Sequence, residues 1–70
     1  MSSQDTPTPA EPFAFSVGDP VEKVGGDARF EGTVVAAFRK LGGLPRYVVE
    51  DGRGLLMIYS ANNLRRNVQP

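Results

Sequence analysis

The sequence has no cysteine, no histidine and no tryptophan. Without cysteine there can be no disulfide staple and no thiolate metal site. Without histidine as well, a zinc site would have to rest on carboxylates alone, which zinc rarely accepts. The two absences also remove the imidazole base, the cysteine nucleophile and the serine–histidine relay. Any chemistry must use Asp, Glu, Lys, Tyr, backbone groups or a borrowed cofactor. A net charge is missing too, since eight basic residues balance eight acidic ones. No run approaches the length that spans a bilayer. Residues 1–12 contain no apolar core of the signal-peptide kind. The expectation is a cytoplasmic protein that makes no membrane contact.

What is present points to one small domain. Seventy residues allow no more than one. Residues 1–12 (MSSQDTPTPAEP) are Ser, Thr, Pro and acid. Such a stretch cannot offset its ordering entropy by burial, so a disordered tail is expected there. The remainder, 13–70, forms the domain. A core built from about 55 residues is marginal by itself. With disulfides and metal excluded, self-association is the remaining staple. The charges are also unevenly placed. All eight basic residues follow Glu22, where six acids in the domain leave it at +2, while Asp5 and Glu11 make the tail −2. That balance is too weak to signal a nucleic-acid binder.

Alternation along the chain predicts strands. Phe13-Ala14-Phe15 is an apolar island suited to closing one end of a barrel. Ser16 to Pro20 is turn chemistry, and Val21 to Val24 is strand one. The second strand runs from Phe30 to Arg39. Its even positions, Phe30, Gly32, Val34, Ala36 and Phe38, read as the buried face. Lys40 to Pro45 is a hairpin connection with two glycines for left-handed backbone. Strand three is Arg46 to Glu50. Asp51-Gly52-Arg53-Gly54 is the strongest turn signal in the chain. Strand four is Leu55 to Ser60, Ala61 to Leu64 is a short helical turn, and Arg65 to Val68 is the last strand. The fold expected is all-β: a five-stranded SH3-like barrel with a short helical turn before the last strand.

The most informative segment is strand four. Side chains alternate faces, so Leu56 and Ile58 share one side and Leu55, Met57 and Tyr59 the other. Both sides are apolar. One can fill the barrel. The other would sit in water on a monomer, unless the Phe13–Phe15 segment covers Leu55, Met57 and Tyr59. A contiguous apolar patch of that kind marks an interface or a groove.

From Phe15 to Asn67 the chain resembles the type II, plasmid-encoded, trimethoprim-insensitive dihydrofolate reductases. The matching residues are Gly18-Asp19, Val21 and Lys23; Gly32 and Val34; Tyr47, Val49 and Glu50; Ile58-Tyr59; and Leu64 and Arg66. Most of these form the barrel. The resemblance implies an SH3-like barrel that assembles as a homotetramer around one pore, binding NADPH and dihydrofolate together. It implies catalytic positions at Met57, Ile58 and Tyr59. It implies cofactor contacts from Lys23, Ile58 and Tyr59, with Lys23 drawing in the anionic ends of both ligands and Ile58 offering backbone groups to the nicotinamide carboxamide. No dedicated proton donor is needed, because hydride transfer rests on stacking the two rings in good orientation. Met57 stands where the family has a pore-lining glutamine, and Phe30 and Ala37 stand where it has tryptophans. The alternative is a non-catalytic SH3-like module. Tyr47, Tyr59 and Phe38 could line a peptide groove, or Arg39-Lys40, Arg46 and Arg65-Arg66 could meet nucleic acid.

Overall fold

A computed structural model describes residues 12–67. The expected tail at 1–12 falls outside them except for Pro12, and so does Val68. The described chain is all-β. Five strands, β1 (Pro20–Lys23), β2 (Glu31–Arg39), β3 (Pro45–Glu50), β4 (Leu56–Tyr59) and β5 (Leu64–Arg66), form one antiparallel sheet. A 3₁₀ turn, Ala61–Asn63, precedes β5 as expected. The order across the sheet is β4-β3-β2-β1-β5. This antiparallel arrangement is consistent with the small β-barrel expected. The sheet curls, because the Phe30 ring just before β2 meets Tyr59 of β4 at 5.8 Å, two strands away.

The core is small. Val21, Val34, Tyr47, Val49 and Leu64 are buried, and Phe15, Phe30, Ala37, Tyr59 and Ala61 pack around them. Residues of β3 alternate as expected, with Tyr47 and Val49 inward and Val48 outward. In β2 the expected alternation breaks. A bulge between Val34 and Ala36 inserts Val35, so Val34 faces Val49 but Ala36 faces Val48. A bulge shifts the side-chain parity by one. Ala37 therefore packs on the core, whereas Phe38, expected inside, is 40% exposed.

The N-terminal segment closes one end, as its sequence suggests. Phe13 and Phe15 meet the Tyr47 ring edge-on at 6.1 and 5.3 Å. The Ala14 N–H donates to the Tyr47 hydroxyl at 2.7 Å. Gly18 and Val34 anchor the segment to β2 through two main-chain bonds, Gly18 N–H to Val34 C=O and Val34 N–H to Asp19 C=O. In the β2–β3 connection Gly43 alone takes positive φ, and Gly42 does not.

Asp51 organises the β3–β4 turn. Its Oδ1 accepts the N–H groups of Arg53 and Leu55, each at 2.9 Å. Its Oδ2 accepts Nε and Nη2 of Arg53 at 3.0 and 2.8 Å. The Leu55 N–H, followed by Arg53, holds the carboxyl below its ordinary range, against the opposing cost of covering it. A depressed folded-state pKa gives stability that is complete above the unfolded value, about 3.9, and is lost as pH falls through the folded value. Unfolding midpoints measured from neutral pH down to about pH 2 should therefore fall more steeply in the native chain than in Asp51→Asn, whose amide oxygen keeps the backbone bonds but does not titrate. Parallel curves would show that the Asp51 charge contributes nothing.

Candidate functional site

Of the four residues singled out by the resemblance, three share β4 and one stands apart. The register of β3 and β4 fixes their faces: Tyr59 lies opposite Tyr47, Ile58 opposite Val48, Met57 opposite Val49 and Leu56 opposite Glu50. Because directly opposed residues share a side, Met57 and Tyr59 are on the core side with Tyr47 and Val49. Tyr59 is half-buried against Phe30. Met57 is at the margin of that side and 40% exposed. Leu56 and Ile58 are on the outer side with Val48, at 54% and 60% exposure.

This corrects one expectation. The Phe13–Phe15 segment covers Tyr47 rather than Leu55, Met57 and Tyr59, and the ring over Tyr59 is Phe30. Both sides of this segment remain open in part: Leu56 and Ile58 are exposed on the outer side, and Leu55 and Met57 are exposed as well, while Tyr59 is half-buried. Phe30, read from the sequence as part of the buried face, does pack against the core, and its ring meets Tyr59.

Lys23 ends β1, and β2 and β3 separate it from β4 in the sheet. Lys23 thus has no strand pairing with β4. The link runs through Phe30, whose carbonyl accepts the Lys23 N–H at 2.7 Å while its ring meets Tyr59. The Lys23 ammonium donates to the Ala28 carbonyl at 3.5 Å. It opens onto a recess of about 280 Å³ shared with Arg29, Arg65, Glu22 and Glu31. That recess mixes both signs of charge. Arg65 is held by Glu22 at 2.6 Å, and Arg66 by Asp19 at 3.3 Å. Both arginines of β5 are thus engaged with acids of their own chain, which weakens the case for a nucleic-acid stripe there.

The two sheet edges differ. β5 is three residues long and carries Arg65 and Arg66. Short, charged edges resist further pairing. β4 is Leu-Met-Ile-Tyr, with no charge and no proline. It presents a row of backbone groups beside exposed apolar side chains, and nothing in its sequence discourages a further strand or ring from approaching.

Comparison with family models finds no match, and comparison with curated proteins finds none either. The five-stranded antiparallel sheet is compatible with a small β-barrel fold. Among the described residues no helix is long and apolar enough to cross a membrane.

Proposed function

We propose that the chain is a subunit of a homotetramer of the type II dihydrofolate reductase kind, reducing dihydrofolate with NADPH in a pore that the copies share. The observation that carries this reading is the free edge of β4. It joins unblocked backbone groups to Leu56, Met57 and Ile58, each 40% exposed or more. Fully exposed to water, such an edge is a liability in a small domain.

The residues present fit the two ligands in part. Met57 is a polarizable, flexible side chain that packs against flat rings and excludes water from them. It cannot make the paired hydrogen bonds of an amide, so orientation falls to the Ile58 backbone and the Tyr59 ring. Lys23 supplies positive charge for anionic ligand ends. When bound, NADPH supplies the hydride. β4 carries no carboxyl or amine, so the proton comes from solvent.

The test combines light scattering on the full chain with NADPH oxidation in the presence of dihydrofolate and trimethoprim. The expected result is a tetramer that turns over and ignores trimethoprim. A tetramer without turnover would remove the reductase reading. A second reading, a non-catalytic SH3-like module that binds a protein, is favoured by the missing amide at Met57. A monomer that binds neither ligand would leave that reading in place.

A further inference from the structure

The hairpin between β2 and β3 joins two features that the reductase reading does not use. The first is charge of one sign. Between Glu31 and Glu50 the chain has Arg39, Lys40 and Arg46 and no acid. The segments beside the hairpin, Phe13 to Val17 and Ser60 to Asn63, add no acid either. One end of a chain with zero net charge is therefore cationic. The second feature is apolar protrusion. Leu41 stands fully clear of the protein at 110% exposure, with Leu44 at 49%. A single exposed leucine means little. Here two lie three residues apart in one turn, flanked by cations.

The turn is built to hold them outward. Lys40 N–H donates to Leu44 C=O at 2.9 Å, and Gly43 N–H donates to Lys40 C=O at 2.8 Å. Arg39 Nη1 donates to Gly43 C=O at 3.0 Å, while its guanidinium covers the Phe13 ring at 4.4 Å. Backbone groups paired within the hairpin can approach an apolar phase, whereas unpaired ones pay a desolvation cost. Beside the tip, a recess of about 200 Å³ is lined by Leu44, Pro45, Arg46, Ser60, Ala61 and Asn62. Arg46 is the only charge among them. A guanidinium, a hydroxyl and an amide around a recess of that size suit a phosphate group.

Shape and chemistry select the occupant. Single-stranded nucleic acid stacks its bases on exposed rings. The leucines of the tip offer none, and the Phe13 ring is already covered by Arg39. A protein partner would need a cavity matched to the protruding Leu41. A surface of anionic phospholipid meets every feature at once. Its headgroups meet the cations, and apolar side chains reach past them into the boundary with the acyl chains. The lack of a long apolar run excludes a span but has no bearing on a tip that enters only this boundary.

We infer that the β2–β3 hairpin docks on an anionic phospholipid surface, with Leu41 and Leu44 entering between headgroups and Arg46 holding a lipid phosphate in the adjoining recess. This replaces the expectation that the chain makes no membrane contact. It is independent of the proposed reductase chemistry, none of whose residues lies in the hairpin.

The test is flotation of the full chain with vesicles of phosphatidylglycerol and phosphatidylcholine in equal parts, at low salt. The chain should float with these and stay behind with phosphatidylcholine alone. Added salt should weaken the binding. Lys40→Gln should bind about fivefold more weakly, and Leu41→Ser about tenfold. Arg53→Gln removes the same charge from the turn at the opposite end of β3 and should bind like the native chain. Circular dichroism checks that each variant folds, and the comparison of the two lipids needs no variant. A native chain that ignores the anionic vesicles overturns the proposal. So does binding that Leu41→Ser leaves unchanged, or that Arg53→Gln weakens as much as Lys40→Gln. Inorganic phosphate bound without vesicles, and lost in Arg46→Gln, would make the recess a free-phosphate site and overturn the lipid assignment. Retention of a single-stranded oligonucleotide, weakened by Lys40→Gln but not by Leu41→Ser, would transfer the tip to nucleic acid. The reductase assay contains no lipid, so the two readings fail separately.

Discussion

Gly32→Ala should leave little folded protein at room temperature. A Cβ at this position would lie 2.1 Å from the Glu50 carbonyl oxygen, 2.7 Å from its carbon and 3.0 Å from the Asp51 Cα. All three are backbone atoms. The φ angle at Gly32 is not the reason, since it is not positive. The need is for closeness: β2 crosses β3 here, just before the Thr33↔Glu50 pair and the bulge. Glycine in a strand interior often marks such an approach. The Glu50–Asp51 backbone cannot step aside. It is held by the ladder to β4 on one side and by the Asp51 turn bonds on the other. Overpacking costs about 1–3 kcal/mol when side chains can give way, and here the obstacle is main chain. A domain of this size seldom holds more than about 3–5 kcal/mol in reserve. Urea titration followed by circular dichroism should show the transition of Gly32→Ala displaced far toward zero denaturant. Gly42→Ala is the control. It meets nothing within 4 Å and should stay within about 0.5 kcal/mol of native. Equal stability of the two variants would show that β2 and β3 have room to part.

The same crossing marks where the sequence stops being readable. The five strands, the Asp51 turn and the 3₁₀ turn before β5 all follow from apolar runs punctuated by Gly, Pro, Asn and Asp. The faces do not. From Val34 to Ala37 every residue is apolar and small, so alternation carries no information across the one place where the bulge reverses it. Strand four has the same difficulty. Leu-Leu-Met-Ile-Tyr offers no polar residue to say which side is wet. The Asp51 turn settles it by fixing the register against β3, and register is a property of two strands together. Lys23 is the opposite case. Its strand is legible, but its separation from β4 depends on strand order, which no local pattern encodes.

A similar dependence hides Phe38. Alternation alone puts it inside with Val34, and only the bulge, read against β3, turns it out beside Arg46. Without Val35 as an extra residue, Phe38 would point inward and the outer side would lose its largest ring. The irregularity in β2 thus serves both surfaces: it brings small Ala37 against the core beside Tyr47, and it moves apolar area to the side where Arg46 and Glu50 stand.

Tyr47→Ala should unfold the domain, while Tyr47→Phe should keep the fold and loosen only its N-terminal closure. Tyr47 is the largest fully buried side chain. Its ring supports Phe13 and Phe15, and it lies opposite Ala37 on one strand and Tyr59 on the other. Removing the ring forfeits its burial and leaves a cavity that the other four core residues cannot collapse to fill. Such truncations cost about 3–5 kcal/mol, which matches the whole reserve expected at this size. The phenylalanine variant keeps the ring and loses one acceptor for the Ala14 N–H. Ala14 is exposed, so water can replace the lost partner and the cost should be about 0.5–1.5 kcal/mol. Hydrogen exchange separates the two effects. In Tyr47→Phe the Ala14 amide should exchange much faster, while the amides of β2 and β3 remain protected. If Tyr47→Phe melted the sheet along with the segment, the phenol hydrogen bond rather than the ring would be holding the core together. A folded Tyr47→Ala would mean that the rings of Phe15 and Tyr59 can close the space between them, and that the domain is held elsewhere, at the contacts between copies.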